Sequence, residues 1–319
     1  MLKALLIICS ALLISCDSKN SDGKKDKKKE NGREEATDLK SPDDIAAAMN
    51  YDLHYDLSKP EFTFNLDNEL KEISGLSFVS NEQFACIQDE QGILYIYNVQ
   101  SAGLDKRIPF GAKGDYESVA IAGDDAWILS SQGQLTHLKD YAGKKPQKKN
   151  YNTGLNPSFN FESMCYDKEG NRLLIMAKDK SEDKSKKDIY SFNPGSKTMD
   201  PGTVYSVSFS DMKKILDRND FPGLSGKLKK ALEGDDINEL FRPTDLSINP
   251  VTSEIYIISS VSNLLLILDK SGKLVFLCPL EDSRFMQPEG IAFDETGNLF
   301  ISNEGQNAKP NILKFSYEK

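Results

Sequence analysis

Residues 287–305 read QPEGIAFDETGNLFISNEG: an acid, a short strand-like run, a Thr-Gly-Asn turn and a second apolar run. The opening phrase recurs upstream as KEISGLSF (71–78), DYESVAIA (115–122), NFESMCYD (160–167) and RPTDLSIN (242–249). Each copy joins one acid, Glu72, Glu117, Glu162, Asp245 or Glu289, to a strand of small, polar or aliphatic residues. From 72 to 117 and from 117 to 162 is 45 residues each, from 162 to 245 is 83, and from 245 to 289 is 44. That period is the length of a four-stranded propeller blade. The repeat predicts an all-β fold, a five-bladed β-propeller over residues 51–319, with one acid per blade around a common axis.

The last two copies show how a blade is written. The fourth continues from DLSIN through EIYIISS and NLLLILD to KLVFLCP. The fifth runs GIAFD, NLFISN, NILKFSY and ends one strand short. Residues 61–67, EFTFNLD, alternate in strand fashion and have no blade of their own, so this N-terminal strand is expected to complete blade five and cover its open edge. The long step of 83 leaves an insertion at about 207–244. There Leu224, Leu228 and Leu232 recur at helical spacing, Ser210 and Asp236 are candidate N-caps, and Gly234 suits a helix end. The insertion is read as helical and packed on one propeller face; a six-bladed ring is the competing count if it hides strands.

Upstream of the blades, Lys3 precedes an apolar run, Ala4–Ile14, too short to span a bilayer but of the length of an export signal core. Leu13, Ile14, Ser15 and Cys16 resemble a bacterial lipobox. The expectation is a signal peptide over 1–15, a palmitate-bearing lipidated Cys16, and a membrane-anchored lipoprotein of the cell envelope with its propeller outside the cytoplasm. Several acyl chains on one residue suffice for stable anchoring. Residues 16–50 read as a charged, disordered tether with a coil dimension of roughly 30 Å. The run Lys24–Lys29 is balanced by nearby acids and reads as solvated.

Composition narrows the function classes. The net charge of −9 disfavours phosphate backbones, so no nucleic acid partner is expected. Cys86, Cys165 and Cys278 have no paired spacing and read as buried hydrophobes, and His54 and His137 have no ligand partners for zinc. Trp127, Tyr95 and Tyr97 read as inter-blade packing.

Because the innermost strand of a blade comes first, acids at its start should converge on the channel mouth. Two carboxylates about 7 Å apart repel by roughly 2.4 kcal/mol at an effective dielectric of 20, so the ring must be relieved. Three remedies are open: a bound cation, paired basic groups, or raised pKa values. All-oxygen ligands favour a hard ion, calcium above magnesium, held by Glu72, Glu117, Glu162, Asp245 and Glu289. Asp89, Glu90, Asp179, Asn303 and Glu304, at second-strand ends, would complete the rim. Against this, Lys71, Lys178 and Arg242 could satisfy the acids without metal.

Together with the lipobox, the phrases EISGLSF, RPTDLSINPVTSEIYIISS and QPEGIAFDETGNLFISNEG, and Asp89 and Glu90 before GILYIYN, resemble the SdiA-regulated family of extracytoplasmic propellers, which takes in YjiK-like and CarP-like proteins. The resemblance covers most of 61–319. It implies five blades, association with calcium and a role outside the cytoplasm. The family's blade-start acids fall on Glu72, Glu117, Glu162 and Glu289. Asp245 departs by being shorter; strict strand alignment puts Thr244 and Ser74 level with Glu289. EGIAFD followed by GNLFIS also resembles NHL, gluconolactonase-like and phytase-like propellers. The leading expectation is a monomeric binding module for an unknown small-molecule or protein ligand. The alternative is a calcium-dependent hydrolase of phosphoesters or lactones. No GxSxG elbow and no histidine near a blade-start acid supports nucleophilic catalysis.

Overall fold

The computed structural model describes residues 41–80, 83–217, 226–280, 283–305 and 308–319. The expected signal peptide, Cys16, most of the tether and Leu224 lie outside these residues.

Helix α1 (Pro42–Met49) and strand β1 (Phe62–Asn65) precede the blades. Blade 1 is β2 (Ile73–Ser80), β3 (Gln83–Gln88), β4 (Ile93–Asn98) and β5 (Gly103–Pro109). Blade 2 is β6 (Tyr116–Ala122), β7 (Asp125–Ser130), β8 (Gln134–Lys139) and β9 (Gln147–Asn152). Blade 3 is β10 (Phe161–Asp167), β11 (Arg172–Ala177) and β12 (Lys186–Asn193), with β13 (Thr198–Met199) and β14 (Tyr205–Ser208) sharing the outer edge of β12. Helices α2 (Phe209–Leu216), α3 (Gly226–Glu233) and α4 (Ile237–Leu240) follow. Blade 4 is β15 (Asp245–Ile248), β16 (Ile255–Ser259), β17 (Leu264–Leu268) and β18 (Leu274–Pro279). Blade 5 is β19 (Pro288–Phe293), β20 (Leu299–Asn303) and β21 (Asn311–Phe315), completed by β1 on its outer edge in the register Phe62↔Lys314. Each inner strand packs on the next, and β19 packs on β2, so the five-bladed ring closes.

The core lies in the wedges between blades. Trp127 of blade 2 is buried against Phe192 of blade 3, stacks on His137 with ring centroids 4.2 Å apart and lies under the Lys197 ammonium. Tyr95 and Tyr97 fill the wedge between blades 1 and 5. Burying each such side chain is worth roughly 1.5–3 kcal/mol. Cys86, Cys165 and Cys278 are free and buried, as their strand settings suggest.

Two boundaries differ from the sequence reading. The folded chain starts before residue 51, because α1 is helical and buries Ile45 and Ala46 in the blade 4 and 5 core. Its start is a capping box: Ser41 Oγ accepts the Asp44 N–H at 3.2 Å, and the Asp44 carboxylate accepts the Ser41 N–H at 3.1 Å. Pro42 opens the first turn. A charge-rich composition hid that short local signal.

In the insertion, α2 is capped by Ser208 rather than Ser210, because β14 delivers the chain to Ser208 and its Oγ accepts the Asp211 N–H at 3.1 Å. Asp236 does cap α4. The helices bury Phe209, Met212, Leu228, Leu232, Ile237 and Leu240 in one cluster with side chains of blades 3 and 4. Their packing partners are β12, β14 and β18, so the insertion rests against these two blades rather than across a propeller face.

Candidate functional site

The pairing of inner and second strands decides which side chains share a level of the channel. In blade 1 the register passes from Ile73↔Gln88 to Gly75↔Ile87, leaving Ser74 in a bulge. The same slip leaves Glu117, Glu162 and Glu289 in bulges of blades 2, 3 and 5. Such bulges re-aim a side chain. In blade 4, Asp245 pairs with Ile258 while the Thr244 N–H also bonds Ile258 O, so Thr244 takes the bulge level. One level therefore carries Ser74, Glu117, Glu162, Thr244 and Glu289: three acids, not five.

Asp245 belongs to the next level inward, with Gly75, Ser118, Ser163 and Gly290. It is 1 % exposed; its Oδ2 accepts the Ile291 N–H at 3.0 Å and its Oδ1 bonds the Ser118 hydroxyl at 3.1 Å. It also accepts the Leu246 and Met164 amides, so one carboxyl from blade 4 ties blades 2, 3 and 5 together. Burial pushes its pKa well above the ordinary range against the pull of these donors. Only small neighbours permit this convergence. A Cβ on Gly75 would stand 2.8 Å from Ser118 Cα, and one on Gly290 would meet Ser302 Oγ at 2.5 Å. Asp245 is a central tie, not a channel-mouth ligand.

At the mouth, Lys178 closes the second strand of blade 3 and places Nζ 2.5 Å from Glu162 Oε2. The ammonium also stands in the fields of Glu289 and Glu117. Burial works to lower the Lys178 pKa, but these three carboxylates outweigh it and hold the ammonium above its usual range. Glu162 takes a second bond from Asn160 Nδ2 at 2.9 Å, and Asn160 also bonds Asp179, which pairs with Arg242 from the end of the insertion.

Burial first, then Glu162 and Asp115, push Glu117 up to about 9, so its carboxyl is protonated at neutral pH. Ser74 Oγ donates toward Glu117 Oε2 at 3.2 Å. Glu289 is raised to about 7, chiefly by burial, with Lys178 opposing. Between blades 5 and 1 the short Ser74 replaces a glutamate, and Glu72, Asp89 and Glu304 gather there, part-exposed. Burial and mutual repulsion raise Asp89 and Glu304. Asp89 Oδ1 has no hydrogen-bond partner.

This arrangement does not fit the expected calcium ring. Among the described residues no group of three or more acids, histidines or cysteines is placed to hold a metal ion. Glu72 precedes its strand, Asp245 is a level too deep, and the Lys178 ammonium supplies the positive charge amid the remaining three. Of the expected rim, Asp89, Asp179 and Glu304 stand at the mouth. Glu90 pairs outward with Lys113 at 3.2 Å, and Asn303 turns to Asn311 Oδ1 and Arg284 O. Sequence reasoning missed Asp115 and Asn160, which sit two residues before each bulge. His54 bonds Glu318 O and His137 pairs with Asp125.

The family model described as SdiA-regulated matches residues 55–312, and the chain belongs to that family. No curated protein matches it. Among solved structures, glutaminyl cyclase of Myxococcus xanthus is similar at 16% identity, covering 82% of this chain and 96% of that one with a TM-score of 0.54. A structural-genomics protein of unknown function from Bacteroides thetaiotaomicron is similar at 15% identity, covering 77% and 56%, TM-score 0.47. Virginiamycin B lyase from Staphylococcus aureus follows at 12% identity, covering 79% and 73%, TM-score 0.40. At such identities only the propeller fold of the first is informative.

Proposed function

We propose that this protein is a non-catalytic binding module of the cell envelope, tethered through a lipid on Cys16, and that it receives an organic cation at the blade 1 and 5 side of its charged mouth. The observation that carries this reading is the gathering of Glu72, Asp89 and Glu304, the last two raised by burial and by repulsion from neighbouring acids, with an unpartnered Asp89 oxygen and Lys178 committed to Glu162. An ammonium hydrogen-bonds carboxylates at about 2.8 Å through donors pointing several ways. It therefore bridges acids too far apart for bonds of about 2.4 Å to one calcium ion. Hydrolysis of phosphoesters or lactones would require the acids to gather on that ion, and the described donors are not so placed.

The test is calorimetric titration with spermidine at low ionic strength. Binding should weaken about tenfold in Asp89→Asn and Glu304→Gln. Spermidine heats unaffected by both substitutions would overturn the reading. The anchor is tested separately: Cys16→Ser should move the protein from the membrane to the soluble fraction.

A further inference from the structure

The same channel opens at its other end into a cavity of about 870 Å³, which the charged mouth does not share. It is lined by the far halves of all five inner strands, and its wall follows from their register. Beyond the level of Asp245 comes an aliphatic level, Leu76, Val119, Met164, Leu246 and Ile291. The next level is small in every blade, Ser77, Ala120, Cys165, Ser247 and Ala292, and all of these but Ala120 line the cup. The last is large and apolar: Phe78, Ile121, Tyr166, Ile248 and Phe293. Small residues inside a collar of large ones leave a blind cup, floored by the tie that Asp245 makes across the blades.

We infer that this cup is a second binding site, for an uncharged small molecule with a compact apolar body and one or two hydrogen-bonding groups. Its volume falls in the range of sites that enclose drug-sized ligands, roughly 300–1,000 Å³. Charge in its wall is internally satisfied: Arg172 Nε bonds Asp167 Oδ2 at 2.8 Å and its Nη2 meets the Tyr205 hydroxyl at 3.1 Å. Asp294 is spent on the turn amides of Thr296 and Asn298. The exposed rim side chains Lys168, Glu169, Lys270 and Glu295 carry two charges of each sign, so the rim favours no one ionic head. The wall offers neutral donors instead. Ser77 Oγ accepts the Ile121 N–H at 3.1 Å, which leaves its own proton to give, and Ser247 is part-exposed to the cup.

The inference is independent of the reading of the charged mouth. The probe is 6-bromo-2-naphthol, neutral at pH 7, titrated calorimetrically into the full chain. Saturable binding at one site is expected, about tenfold weaker or worse in Ser247→Phe, whose ring fills the cup, and unchanged in Phe62→Ser. Phe62 is 52 % exposed on β1 and is a competing apolar surface. Failure to bind, undiminished binding to folded Ser247→Phe, or loss of binding in Phe62→Ser would each overturn the inference. Should Ser247→Phe not fold, bromine anomalous scattering from a soaked wild-type crystal decides: a peak between Tyr166 and Ile248 supports the site, and a peak elsewhere or none removes it.

Discussion

The two ends of one channel are built by the same five strands and differ in how their side chains meet. At the mouth, long charged groups leave bulges and find each other, so Glu162 and Lys178 are 8 % and 17 % exposed at the side chain. At the far end the small level from Ser77 to Ala292 lets the walls stand apart, and about 870 Å³ stays open. Position along the inner strand, not blade identity, decides whether the axis is filled or free. Asp245 marks the divide, since its four donors come from its own blade and from blades 2, 3 and 5.

The largest effect should come from the divide itself. Asp245→Ala strands the Ile291 amide, removes the tie between blades 2, 3 and 5 and leaves a buried void, and should cost about 3 kcal/mol in urea unfolding. Asp245→Asn keeps an acceptor and should cost less. A loss near that of an exposed substitution such as Glu90→Gln, about 0.5 kcal/mol or below, would dissolve the distinction between the two ends.

Next in size is the mouth's counter-charge. Lys178→Met leaves Glu162 buried without its ammonium and should cost about 2 kcal/mol at neutral pH. The penalty should shrink on acidification as the carboxylates take up protons. A penalty constant with pH would mean that Lys178 contributes packing alone.

The pH profile sharpens the contrast, because the mouth holds Glu117 and Glu289, whose carboxyls burial has raised. Glu117 and Glu289 are raised from 4.5 to about 9 and about 7. Folding favours their protonated forms, so their stabilising contribution is complete below about pH 4.5 and is lost as pH rises through 7 for Glu289 and through 9 for Glu117. Stability should therefore decline across this window, and Glu117→Gln should flatten its upper part. Wild-type stability that climbs from pH 5 to 9 would contradict the burial of these acids.

The smallest effect concerns metal. A calcium site occupied at a hundred times its dissociation constant would add about 2.7 kcal/mol and raise the melting temperature by several degrees. With Lys178 amid the acids, millimolar calcium or a chelator should move it by less than about 1 °C. A larger shift would mean that the acids rearrange around an ion.

Much of the fold was legible because blades repeat. The spacing of the acids, the orphan strand at 61–67 and the helical leucines at 228 and 232 each describe a local pattern that needs no neighbour to be read. The site was less legible because a bulge is a relation between two strands. Aligning the phrases on their acids put Glu72 and Asp245 in the ring, whereas hydrogen-bond register put Ser74 and Thr244 there. Both alignments fit the letters. Helix α1 was missed for a related reason: its capping box is four residues long, and Ile45 and Ala46 gain value only against a core that composition does not reveal.

By itself, then, the chain's sequence determined the number of blades, the strand that seals the ring and the place of the insertion, since periodicity and turn chemistry act over a few residues. The three-dimensional packing alone decided that one carboxyl would become the axle, that a lysine would stand among the remaining glutamates, and that the opposite end would stay hollow. Those outcomes depend on how far side chains from five distant segments reach toward a common axis, and reach is set by register and neighbours rather than by residue type.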